Sequence, residues 1–211
     1  MRHTAVILIL AASVFSAGVS ARQNQPAQTA PAPTAAVKTP PASPAPTETV
    51  LFSPRDKVTD AIIARINAAQ TTVRVLAYSF TSERIANALL AAHKRGVDVQ
   101  VIVDKSQRRA VGSRAYALAS GGMPVFVDSK HAIQHNKIIV LDSKTVLTGS
   151  FNFTKAAEEK NAENMVIIED ASLAEKYTAE WQIHRDHSDP LDAVKKSDKK
   201  QTVVKPEESA P

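Results

Sequence analysis

No cysteine occurs among the 211 residues, so the chain has no disulfide framework, thiolate metal site or cysteine nucleophile. A thiol-free chain tolerates an oxidising compartment, although it does not report one. Metal-ligand spacings of the HxH and HExxH kinds are absent, and so are clustered carboxylates, so the sequence gives no metal or other cofactor to expect. The N-terminal apolar run AVILILAASVF is too short for a comfortable membrane span of about 20 residues. Charge of one sign is scarce as well. The formal net charge is +5, but residues 50–187 keep only +3 of it. That is a mild bias toward polyanions and not a nucleic-acid signature by itself. No internal repeat is found in this central stretch.

The two ends have their own character. Arg2 and His3 precede the apolar run, and VSA closes it at Ala21 with small residues at the −3 and −1 positions. This is the pattern of a cleavable signal peptide over residues 1–21, cut after Ala21, and it places the mature protein in the periplasm or outside the cell. No stable membrane span is expected in the mature chain. Residues 22–49, rich in Pro, Ala, Thr and Gln, cannot bury enough surface to offset their ordering entropy and read as a disordered linker. Residues 188–211 read as a charged, flexible tail.

The central domain, residues 50–187, alternates helical and strand periods. SPRDKVTDAIIARINAAQ carries Val58, Ile62 and Ile66 at helical spacing, and TVRVLAYSF follows as a strand. TSERIANALLAAHKRG is a helix capped by Ser82 or Thr81 and stopped by Gly96. VDVQVIVD, the short helix SRAYALASGG and the strand MPVFVD come next. NKIIVLD and TVLTGSF, separated by SK, form a tight hairpin; ENMVIIED is a further strand. A closing helix carries Leu173, Tyr177 and Trp181 on one face. The order predicts an α/β fold with a mixed, largely parallel sheet flanked by helices.

The hairpin concentrates the chemistry. Residues two apart on a strand share a face, so His135 and Lys137 project together at one strand's start. Ser150 and Asn152 do the same where the partner strand ends, and antiparallel pairing brings these ends side by side. An imidazole, an ammonium, a hydroxyl and a carboxamide thus converge, with Gly149 permitting close backbone approach. The set suits phosphoryl transfer: Lys137 supplies fixed charge, Ser150 and Asn152 supply neutral donors, and His135 is a potential nucleophile. A neutral attacking histidine needs an acceptor at its other nitrogen, and Glu163 is available just before a strand.

The spacing His135-x-Lys137, four residues, Asp142, six residues, Gly149-Ser150-x-Asn152 resembles the HxK(x)4D(x)6GSxN motif of the phospholipase D superfamily, every defined position matching. AYSFTS, RGVDVQVIVDKSQ and GSFNFTKAAEEKNAEN resemble its small bacterial endonucleases, which carry one motif per chain. The resemblance implies the phospholipase D/nuclease fold and His135 as nucleophile. It further implies Lys137, Ser150 and Asn152 at the phosphate, Glu163 orienting the histidine, and Asp142 and Gly149 as structural members. Two histidines are required and one motif is present, so the expected partner is a second copy sharing a single active site. The scheme calls for no metal. Non-specific endonuclease action on DNA, or RNA, is the leading expectation. A phospholipase D releasing phosphatidic acid from phosphatidylcholine-type lipids is the alternative, and a non-catalytic phosphate-binding envelope module is a third reading. His131 reads as a loop histidine at the pocket rim, and His184 and His187 as outside the motif.

Overall fold

The computed structural model describes residues 45–192; the expected signal peptide, most of the linker and most of the tail lie outside the described residues. The central strands are dense in β-branched residues: β2 (Thr72–Ala77), β3 (Asp98–Asp104), β4 (Val125–Asp128), β5 (Lys137–Leu141) and β6 (Thr145–Gly149). Alternate side chains leave on opposite faces. Val73, Val75, Val101, Val103, Ile139 and Leu147 enter one apolar cluster, while Leu76, Ile102, Ile138, Val140 and Val146 enter a second. Both faces are covered, which is why these strands read as apolar runs without polar alternation.

Helices α1 (Val58–Ala68) and α2 (Glu83–Lys94) cover the first face with Ile62, Ile66, Ile85 and Leu89. Ser82 caps α2 by accepting the Ile85 amide. The helices α3 (Ala115–Ser120) and α4 (Lys155–Glu159) are short, and α5 (Ala171–Asp186) covers the second face with Ala174 and Trp181. Trp181 is buried, and its indole N–H donates to the Val75 carbonyl at 3.1 Å, so the ring is enclosed with no orphaned donor.

With β1 (Thr47–Ser53), β7 (Glu163–Glu169) and β8 (Asp189–Pro190), the sheet order is β1-β7-β6-β5-β2-β3-β4-β8. The fold is the mixed α/β class expected. Its parallel part is confined to β2-β3-β4, a smaller share than the sequence reading gave it. Helical crossovers join β2 to β3 and β3 to β4, while β5 and β6 form a hairpin and β7, reached through α4, pairs antiparallel to β6. β1 begins inside the segment expected to be linker, and β8 falls in the expected tail. Both are held by backbone pairing to β7 and β4, which needs no apolar alternation.

The β5–β6 turn is pinned to the scaffold by Asp142. Asp142 and Ser143 both have positive φ, 51° and 53°, and the Lys144 amide donates to the Leu141 carbonyl at 2.9 Å. This mirror-image turn matches the twist of the strands it joins. The Asp142 carboxylate accepts from the amides of Gln70, Thr71 and Thr72 and from the Thr71 hydroxyl, at 2.8–3.2 Å. Desolvation pushes the Asp142 pKa up, but these hydrogen bonds outweigh it and hold the group below its ordinary value.

A depressed folded-state pKa gives stability that is present above the unfolded value of 3.8 and lost as pH falls through the folded one. Asp142→Ala is therefore expected to lose about 2–4 kcal/mol at pH 7. Urea unfolding at pH 7 and at pH 3 checks this: the gap to wild type narrows at the lower pH. Equal gaps at both would show that the carboxylate's charge is not what anchors the turn.

Candidate active site

At one margin of the sheet β1, β2, β3, β4 and β6 end while β5 and β7 begin. Register fixes the neighbours across it: Ala77 opposes Lys137, Gly149 opposes Met165, and Ser53 opposes Glu163. His135 lies two residues before β5, exposed, whereas Lys137 is 5% exposed. The buried ammonium donates to the His135 carbonyl at 2.5 Å and stands 5.0 Å from the centre of the Tyr78 ring. The imidazole of His135 packs on the same ring, centroids 4.5 Å apart and planes inclined by 55°. Tyr78 thus seats both members of the pair. Its place in AYSF, just past the end of β2 and beside the residues that lead into β5, was the available signal, and its role was missed.

Gly149 is required by contact. At φ +158° an added Cβ would lie 2.3 Å from the Asn164 carbonyl oxygen and 2.8 Å from its side-chain oxygen. That approach lets the Ser150 hydroxyl accept from the Asn164 amide at 3.0 Å, tying the end of β6 to β7. The hydroxyl hydrogen of Ser150 is left to donate elsewhere. Asn152 sits one residue beyond buried Phe151, and its Oδ1 is sealed from solvent without a hydrogen-bond partner.

Glu163 opens β7 on the same margin and accepts from the Asn161 side-chain amide at 2.9 Å. No hydrogen bond joins it to the His135 ring in the single chain; its charge acts on Lys137 instead. Burial lowers the Lys137 pKa, and the Glu163 carboxylate pulls it partly back up. His135, Lys137, Gly149, Ser150 and Glu163 therefore gather at one end of the sheet, with Asn152 just past β6. Asp142 is at the opposite end, on the turn. A recess of about 770 Å³, lined in part by Lys144, Thr145, Glu169 and Asp170, also lies at the turn end, away from His135.

Residues 62–184 match the family model of the cardiolipin synthase, PLD-like domain. The chain belongs to the phospholipase D superfamily. It is 41% identical to the phospholipase D family member Nuc from Salmonella typhimurium, with a TM-score of 0.67, covering 70% of this chain and 99% of that one. Phospholipase D of Rickettsia conorii is 40% identical over 130 residues, 62% of this chain and 65% of the relative. The mitochondrial cardiolipin hydrolase of Xenopus laevis is 33% identical over 135 residues, 64% of each chain. The chain therefore spans a little under two thirds of these curated relatives' length. NucT from Helicobacter pylori, 24% identical with a TM-score of 0.63, shares the fold.

The coupling of Lys137 to Glu163 is directly testable. Glu163→Gln removes the charge that raises the ammonium, so the Lys137 pKa, already below the ordinary 10.5, should fall further. NMR titration of the reductively ¹³C-methylated protein reads that shift. An unchanged or raised value would separate the two groups.

Proposed function

We propose that the chain is a phosphodiesterase that forms a phosphohistidine at His135, with DNA as the leading substrate and RNA also admitted. The observation carrying this reading is the juxtaposition of an exposed imidazole with a buried ammonium at the sheet margin where the Gly149-Ser150-x-Asn152 segment ends. An imidazole nitrogen of His135 attacks phosphorus; a P–N bond forms and the P–O bond to the leaving group breaks. Lys137, Ser150 and Asn152 hold the non-bridging oxygens, whose charge grows in the transition state. Glu163, in this scheme, leaves Asn161 to take the second ring N–H of His135.

The leaving oxygen needs a proton, and the other described histidines are poorly placed to give one. His131, His184 and His187 crowd around Asp128, and His93 lies on α2. We therefore assign the general acid to the partner subunit's His135 in a homodimer with one shared site. The same imidazole then takes a proton from the water that splits the P–N bond. Positive charge comes from Lys137 of each subunit, so the step itself runs through no metal ion.

The substrate reading rests on exposed Lys105, Arg108, Arg109 and Lys130, which follow the ends of β3 and β4 on the catalytic margin and fit a polyanion backbone. A second reading has its own support. Phe52, 46% exposed, and Ile133, 55% exposed, lie at this margin and could enter a lipid surface, making the chain a phospholipase D. Two curated relatives carry lipid-hydrolase names. The N-terminal signal reading places the enzyme in the periplasm or outside the cell; among the described residues no helix is long and apolar enough to cross a membrane.

Plasmid DNA and phosphatidylcholine vesicles, each incubated with the protein in chelator, discriminate the cases. DNA nicking that falls at least about a thousandfold in His135→Asn is expected. Choline release instead would transfer the reading to lipids, and neither reaction would leave a phosphate-binding module.

A further inference from the structure

A second cluster of chemistry-bearing side chains stands apart from His135. Asp128 ends β4 and is fully buried. Its Oδ2 lies 2.9 Å from His131 Nδ1, 2.8 Å from His184 Nδ1 and 3.2 Å from His187 Nε2. The ring centroids are 4.9, 5.1 and 5.5 Å apart, and one ligand atom from each of the four residues falls within 4.8 Å of all the others. Two chain segments meet here: the D-x-x-H of residues 128–131 and the H-x-x-H of residues 184–187 at the end of α5.

Hydrogen bonding alone leaves the arrangement incomplete. Three imidazoles would each have to point an N–H at a single carboxylate oxygen. His187 Nε2 makes no hydrogen bond there, although it is sealed from solvent. A buried nitrogen aimed at a carboxylate without a bond is costly unless something else engages it. The outer contacts also have the form found around metal ligands. Asp128 Oδ1 accepts from the Lys130 amide at 3.0 Å, which fixes the carboxylate. His184 Nε2 lies 3.3 Å from Glu180 Oε1, so the ring's far nitrogen has a carboxylate partner while Nδ1 faces the centre.

We propose that Asp128, His131, His184 and His187 form a closed, four-ligand site for a divalent transition-metal ion of the Zn²⁺ class. Three imidazoles and one carboxylate suit Zn²⁺ and exclude the all-oxygen preference of Ca²⁺ and Mg²⁺. Tetrahedral Zn²⁺ with bonds near 2.0–2.2 Å holds its donor atoms about 3.3 Å apart; the carboxylate–imidazole separations of 2.8–3.2 Å are already close to that, and the ring nitrogens, within 4.8 Å of one another, would draw together around the ion. With four protein ligands no position is left for substrate, so the ion is structural. It staples the end of α5 to the β4–β5 connection.

The test uses the full chain without a histidine tag, stripped with chelator, dialysed, and titrated with Zn²⁺ or Co²⁺. One equivalent per chain should bind, Co²⁺ should show the visible absorption of a four-coordinate site, and excess Zn²⁺ should raise Tm by about 5–10 °C. His135→Asn should keep the full equivalent. His187→Ala, and His131→Ala at the more exposed ligand, should lose the Co²⁺ spectrum and most of the Tm rise while matching the stripped wild type's Tm. Wild-type uptake below about a tenth of an equivalent would overturn the proposal, as would uptake by both variants equal to wild type. Metal uptake is read without reference to hydrolysis, so its failure leaves the phosphodiesterase reading untouched.

Discussion

The carboxylate of Asp142 joins the two parts of this molecule that must agree. It gathers the amides of Gln70, Thr71 and Thr72, where α1 hands over to β2, and it sits at the first position of the β5–β6 turn. One side chain therefore locks the hairpin to the strand beside it. Because the hairpin is antiparallel, locking the turn at one end sets where Lys137 and Gly149 meet at the other. A slip of one residue would turn Ile139 and Leu147 out of their cluster and move Lys137 off the Tyr78 ring.

Burial divides the labour at the opposite margin. Lys137 is held in a low-exposure position, which costs desolvation, and Glu163 offsets part of that cost. His135 stays exposed and reachable, its ring steadied by Tyr78 and its carbonyl by Lys137. The contact of His131 with Asp128 anchors the β4–β5 connection four residues before His135.

Much of this is legible in the amino-acid sequence. The hairpin was readable because spacing and period-two patterning point to the same pairs, and because both faces of the central strands are buried. The structural part expected of Asp142 comes from the resemblance, and its place at the turn on the opposite strand parity agrees with it. β1 was missed because its exposed residues, among them Val50 and Phe52, carry no alternation and its pairing to β7 is a backbone matter. α4 is five residues long and held by its Thr154 cap, too short for a helical period to show. The expected Glu163–His135 hydrogen bond is not formed in the single chain, where the carboxylate accepts from Asn161 instead. The Asp128 cluster was invisible because its two short spacings are separated by 56 positions in the chain, and neither is a metal motif alone.

In the proposed reaction His135 becomes covalently phosphorylated. Acid-free quenching of turnover with a labelled phosphodiester, followed by peptide mass mapping, measures it directly. A phosphoryl adduct on the peptide containing His135, near one per two chains and absent in His135→Asn, is the result predicted. Rapid turnover with no adduct, or an adduct on a peptide lacking His135, would contradict it.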